Sequence, residues 1–225
     1  MLDIHPTGGP LGAKVHGLDL RKPLEDSTIG RLKDVFYEYG VLVFSGQDLT
    51  EEDQVRFTRY FCEPVPHPTN TRNRGTCPEI TLISNLEVNG ASIGSLGNAE
   101  VHFHKDLAFT HTPGTISVLY AVEVPDEGGD TSWANSYAAY EALDEALKAQ
   151  IEGLKIVTHH ARPENPAVWP IVTTHPETGR RVLNISPNHD RLIEGLNEAK
   201  SRALLDRLIA HASHPRFVWT HRWHS

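Results

Sequence analysis

The residues with the clearest chemical potential in this chain are His104 and Asp106, separated by Lys105 and flanked by Phe103 and Phe109. In an extended chain, side chains two positions apart lie on the same side, so one imidazole and one carboxylate converge on a common point. That is two-thirds of a two-histidine, one-carboxylate triad, which leaves coordination positions open for a chelating cosubstrate and oxygen; mixed nitrogen and oxygen donors suit Fe(II). Taken alone, His-x-Asp occurs by chance in many chains and reads more often as a surface hydrogen bond. Further along, Pro125-Asp126-Glu127-Gly128-Gly129-Asp130 demands a turn, after which Thr131 enters a strand with its hydroxyl available. Ser136-Tyr137-Ala138-Ala139-Tyr140-Glu141-Ala142-Leu143 follows. Read plainly, these segments are a hairpin feeding a capped helix; read together with His104 and Asp106, they form a constellation.

The elements that must position these residues alternate along the whole chain, with no repeat, low-complexity stretch or linker. Ala13 to Leu20 alternates like an exposed strand. Asp26-Ser27-Thr28 caps a helix with Ile29, Leu32, Val35 and Phe36 on its apolar face. Val41 to Phe44 is a short buried strand, and Thr50-Glu51-Glu52-Asp53 is a capping box opening a helix through Phe61. Strands are expected at Ile80–Ile83, Val101–Asp106, Thr115–Val124, Lys155–Thr158, Ile171–Thr174, Arg181–Ile185 and Phe217–Trp223, with a hairpin turn at His175–Gly179. Long helices are expected over Ser136–Gly153 and Glu198–Ala212. The fold class is therefore mostly β with flanking helices.

Composition bounds the function. A length of 225 residues, 39% hydrophobic and 22% charged, fits one ordinary globular domain. The net charge of −8 argues against a general nucleic-acid or anionic-membrane surface, and no apolar run is long enough to span a bilayer. The start lacks the pattern of a secretory signal. Cys62 and Cys77 make no disulfide framework and read as free thiols of a cytoplasmic protein. The 14 histidines are the unusual feature, since histidine is both a metal ligand and a proton-transfer group. Most are bland: His175 sits in a turn, His211 and His214 end a helix, and His159–His160 close a strand.

The segments FHKDLAF (Phe103–Phe109), VPDEGGDT (Val124–Thr131), YAAYEAL (Tyr137–Leu143), VTTHPETGRRVL (Val172–Leu183) and THRW (Thr220–Trp223), with LGAKVHGLDL and GVLVFSGQDLTEEDQ near the start, resemble the taurine / 2,4-dichlorophenoxyacetate dioxygenase family (TauD/TfdA) over nearly the whole chain. The resemblance implies a double-stranded β-helix (jelly roll) around Fe(II), with 2-oxoglutarate and O2 as cosubstrates. It places His104 and Asp106 on two iron ligands and Thr131 on the residue that binds the 2-oxoglutarate carboxylate. The family's second iron histidine and its 2-oxoglutarate arginine lie past the HRWHS stretch, so residues 1–225 are expected to be one dioxygenase domain incomplete at the C-terminus. His221 and His224 match the THRW strand and are not taken as ligands.

The resemblance also implies a substrate side. His67, in Phe61-Cys62-Glu63-Pro64-Val65-Pro66-His67-Pro68, falls on the family's substrate contact. Asn70 stands where taurine dioxygenase has a tyrosine, which argues against taurine. Glu100 and His102, with Asn98, lead toward the ligands and are expected to line the same cavity, and Glu100 is ill matched to a plain sulfonate. Phe103 replaces a usual tryptophan, and the Thr158–Val168 segment is short where the family often carries a longer lid. The implied reaction is hydroxylation or a related oxidation of an aliphatic carbon in a small polar or acidic molecule, releasing succinate and CO2. The alternatives are a metal-dependent cupin-like hydrolase or isomerase and a truncated, non-catalytic binding protein. The partner is a small molecule, with neither nucleic acid nor membrane; the sequence leaves a homo-oligomer open.

Overall fold

The computed structural model describes residues 2–67, 77–96, 101–112, 114–159 and 165–224. The N-terminal alternation is a strand: in β2 (Ala13–His16) Ala13 and Val15 are buried while Lys14 and His16 face solvent. β2 pairs antiparallel with β1 (Asp3–Pro6) and parallel with β3 (Leu42–Val43). A parallel pair needs a crossover, here supplied by helix α1 (Asp26–Tyr39). That helix ends at Gly40, whose left-handed φ of 72° lets its N–H bond to the Phe36 carbonyl. Contrary to the expected Asp26-Ser27-Thr28 cap, Glu25 holds the N-cap position and makes no side-chain capping bond. The Thr50 box does form: Thr50 and Asp53 cap each other's backbone at the start of α2 (Glu51–Arg59). α2 stops two residues before Phe61. Val15, Leu20, Leu32 and Phe57 close a first core, with Phe44, Tyr60 and Phe61 packed around it.

Short strands follow: β4 (Ile83–Ser84), β5 (Glu87–Val88), β6 (Ala91–Ser92) and β7 (Ser95–Leu96). β4 pairs parallel with β7, and β5 with β6 across a tight hairpin. After β8 (Thr131–Ala134), the long helix expected over Ser136–Gly153 is two helices, α3 (Ser136–Glu141) and α4 (Glu145–Ile151). The physical reason is Asp144. Its carboxylate caps the second helix by accepting from the Leu147 N–H at 2.7 Å, so it starts a helix where periodicity alone would continue one.

The remaining elements are β9 (Lys155–Thr158), β10 (Ala167–Pro170), β11 (Val172–Thr174), β12 (Arg181–Leu183), β13 (Asp190–Ile193), α5 (Glu198–Ala212) and β14 (Val218–His221). β9 lies between β10 and β13, β11 and β12 form the expected hairpin, and β14 pairs with β8. A second core joins these elements through Leu143, Leu147, Ile151, Ile156, Leu183, Leu205, Leu208 and Phe217. The N-terminal turn docks on this half: the Asn135 side chain donates to the Pro10 carbonyl at 2.7 Å, and Trp219, stacked on Trp133, sits so close to Gly12 that a Cβ there would meet its ring at 3.2 Å.

Two expected strands are corrected. Val101–Asp106 and Thr115–Val124 form no strand in the described residues. The first runs into a turn over 106–109, where Leu107 takes a left-handed φ of 56° that ends any extended ladder. The second forms no ladder; its polar groups bond instead to α2 and the loop before it, with Val118 accepting from the Gln54 amide and Tyr120 from the Leu49 N–H. The described residues are thus mostly β with flanking helices, distributed over small sheets of two or three strands.

Candidate active site

The His104–Asp106 loop keeps the alternation of an extended chain without a strand partner: His104 and Asp106 are exposed and Lys105 between them is half-buried. His104 Nε2 lies 3.2 Å from Asp106 Oδ1. The other ring nitrogen, Nδ1, bonds to the His102 carbonyl at 2.9 Å. Nδ1 donates to that carbonyl, the outer contact that orients a metal-ligating histidine; Nε2 donates to Asp106 when the ring is protonated, and its lone pair becomes available to a metal when that proton leaves. Asp106 is held from the far side by the Ser117 hydroxyl, which donates to Oδ2.

Electrostatics follow from this geometry. The bond to Asp106 is the largest influence on His104 and raises its pKa against burial. Reciprocally, the bond to His104 holds the Asp106 carboxyl below its ordinary value, with Ser117 and the His67 ring acting in the same direction. His67 is thereby placed in the electrostatic neighbourhood of the pair, and its ring centroid is 6.2 Å from that of Phe109. Phe109 also meets His189, 5.1 Å between centroids.

Thr131 opens β8, in register with His221 of β14. Its hydroxyl oxygen accepts from the Trp223 indole N–H at 2.9 Å, which leaves the hydroxyl proton available to a further acceptor. Of the remaining substrate-side residues, His102 is exposed and contributes its carbonyl to His104, while Asn70, Asn98 and Glu100 lie outside the described residues, as does 160–164 of the short lid segment. Sequence reasoning missed Ser117 and Trp223. A serine eleven positions after the carboxylate carries no local signal, and the tryptophan was noted only as part of a motif.

A metal was tested against this geometry. Two donors near 2.1 Å from one ion at a right angle stand about 3 Å apart, close to the observed Nε2–Oδ1 separation. The donors are nitrogen and carboxylate oxygen, and both face solvent. Among the described residues no third histidine, cysteine, aspartate or glutamate joins them. The pair fits two positions of an iron site.

A solvent-facing His-x-Asp pair on a mostly β scaffold with flanking helices supplies two donors of a non-haem metal site. Residues 3–225 match the model of the taurine catabolism dioxygenase TauD, TfdA family. The chain is 33% identical over 248 residues to an alpha-ketoglutarate-dependent 2,4-dichlorophenoxyacetate dioxygenase of Cupriavidus pinatubonensis, covering 98% of this chain and 84% of that protein. Its fold superposes on a taurine dioxygenase from Burkholderia xenovorans with a TM-score of 0.83 at 31% identity, covering 100% of this chain and 77% of the other. AAD-2, solved with Mn(II) and N-oxalylglycine, gives 0.79 at 30% identity, covering 100% and 84%. The chain belongs to the TauD/TfdA family, whose enzymes are 2-oxoglutarate-dependent non-haem iron dioxygenases using Fe(II), 2-oxoglutarate and O2. No helix among the described residues is long and apolar enough to cross a membrane.

Proposed function

We propose that this protein hydroxylates an aliphatic carbon of a small polar or acidic organic substrate other than taurine, consuming 2-oxoglutarate and releasing succinate and CO2. The observation that carries the reading is the convergence of His104 Nε2 and Asp106 Oδ1 at 3.2 Å with Nδ1 occupied elsewhere. Iron bound there, with 2-oxoglutarate, would supply the oxidising power; the chain's own residues bind, orient and shield. His104 and Asp106 would hold the metal, with Ser117 keeping Asp106 from rotating. Thr131, its oxygen already satisfied by Trp223, would donate its proton to a 2-oxoglutarate carboxylate. His67, Asn70, Glu100 and His102 would line the substrate side, His67 offering a polar contact to an acidic group. Two relatives, a 2,4-dichlorophenoxyacetate dioxygenase and a taurine dioxygenase, support the substrate class, both being named for small organic acids. A domain folded as a jelly roll is the architecture this reading implies.

The test is succinate release from 2-oxoglutarate across a panel of small acids, amino acids and sulfonates, with Asp106→Ala alongside. Substrate-dependent succinate from the wild type and none from Asp106→Ala is expected. Turnover by the variant equal to wild type would sink the ligand assignment, and taurine as best substrate would sink the substrate class.

A further inference from the structure

The iron-ligand loop has no strand partner, yet two ligands one residue apart must be held to a fraction of an ångström to share one ion. What replaces the ladder is a set of polar contacts on the opposite side of the loop. The Lys105 N–H, in the peptide between the two ligands, donates to the Ser186 hydroxyl at 2.9 Å. The Lys105 ammonium donates to Asn184 Oδ1 at 2.6 Å and stands 5.6 Å from the centroid of the Trp169 ring. Both acceptors are themselves fixed. The Asn184 amide donates to the Pro170 carbonyl at 2.9 Å, and the backbone N–H of Ser186 donates to Asp190 at 2.6 Å. Ser186 and Asp190 are 2% and 4% exposed, so the bond between them does not compete with water. A second anchor holds the loop two residues after Asp106: the Ala108 carbonyl accepts from the Trp169 indole at 2.9 Å and from the Thr158 hydroxyl at 2.8 Å. Asp106 is thus suspended between two points tied to the β9–β10–β13 sheet and to the chain leaving β12.

We infer that Ser186, Asn184 and Lys105, braced by Asp190, form a clasp whose task is to position His104 and Asp106 for metal binding. This rests on the iron assignment made above. Three features favour positioning over simple core packing. The bonds converge on the residue between the ligands and not on the ligands themselves. Lys105 is turned away from the solvent-facing pair. A half-buried ammonium on an amide, beside a buried carboxyl, is a costly way to fill space that apolar side chains would fill at less cost, while partners outside the metal shell typically alter affinity ten- to a hundredfold when removed.

The test is anaerobic titration of the metal-free full chain with Co(II), read by its visible absorption, beside thermal unfolding of the same metal-free samples. Wild type, Asp106→Ala, Ser186→Ala, Ser186→Thr and Lys105→Met are compared. Ser186→Ala is expected to bind Co(II) about tenfold or more weakly with an altered ligand-field spectrum, and Ser186→Thr, which keeps the hydroxyl, to recover both. Lys105→Met retains the backbone bond and is expected to lose affinity while remaining folded. If Asp106→Ala binds as wild type does, the ligand assignment itself fails. If Asp106→Ala loses binding while Ser186→Ala and Lys105→Met keep wild-type affinity and spectrum, the clasp is overturned and the ligand assignment stands. Should Ser186→Ala not fold, Lys105→Met decides, unchanged affinity there overturning the inference.

Discussion

At the scale of single residues, the site works by giving each polar atom one partner and leaving a defined remainder. His104 uses Nδ1 on the His102 carbonyl and turns Nε2 to Asp106; Asp106 uses Oδ2 on Ser117 and turns Oδ1 to His104; Thr131 accepts from Trp223 and keeps a proton. The same logic applies to His67, which feels the Asp106 charge from outside the pair. Replacing His67 with Ala is expected to weaken substrate binding by about ten- to a hundredfold, the loss of one hydrogen bond to a charged group at roughly 1.5–3 kcal/mol. Metal and 2-oxoglutarate binding should hardly change. Isothermal titration of the anaerobic complex checks this, and a variant with wild-type substrate affinity would remove His67 from the site. The pair was visible from residue type and spacing, while Thr131 was singled out only by the family resemblance. Ser117 and Trp223 were not, because their partners are distant in sequence and only folding brings them close.

At the scale of elements, the ligand loop is a turn pressed between two segments. Behind it lies the β9–β10–β13 sheet. In front, the 114–120 stretch contributes Ser117 and passes Gly114 against the loop backbone. A Cβ at position 114 would come 2.9 Å from the Asp106 carbonyl oxygen, and since that contact is with backbone, no side-chain rotation relieves it. Gly114→Ala is therefore expected to displace Asp106 and cut turnover on the order of a hundredfold, the scale of a 1 Å misplacement, while the unfolding transition stays near that of wild type. Succinate assays beside calorimetry measure both; unchanged turnover would show that the loop tolerates the shift. The expected strands at 101–106 and 115–124 failed at this scale for one reason. Alternation reports an extended chain with two different faces, but a strand also needs a neighbour, and whether one is present is decided by parts of the chain far away.

For the whole molecule, the two cores carry the fold, and one buried carboxyl makes its stability depend on pH. Burial pushes Asp190 up to about 7, against the Ser186 N–H and the charges of Lys105 and Arg191, which pull it down. A carboxyl with a raised folded pKa binds more protons in the folded than in the unfolded chain between about pH 4 and 7, so its contribution favours folding at low pH and is lost as pH rises through that window. Since one pKa unit corresponds to about 1.4 kcal/mol, the loss is at most about 4 kcal/mol. Asp190→Asn, which still accepts from Ser186, is expected to remove this dependence. Denaturant unfolding of both proteins from pH 4 to 8 should show wild type losing stability relative to the variant as pH rises; parallel curves would contradict it.

What the amino-acid sequence determined by itself is everything that local chemistry decides: the capping box at Thr50, the hairpin at His175–Gly179, the helix over Glu198–Ala212, the amphipathic β2, and the pairing of an imidazole with a carboxylate two residues on. Each depends on neighbours a few positions away, where covalent geometry limits the choices. Only the tertiary structure decided that His104 and Asp106 stand on a loop and not a strand, and that Ser186, Asn184 and Trp169 reach the ligand loop from about sixty to eighty positions further along the chain. Those contacts form because two cores bring the sheets together, and no periodicity in a single segment encodes which distant hydroxyl or amide will meet it.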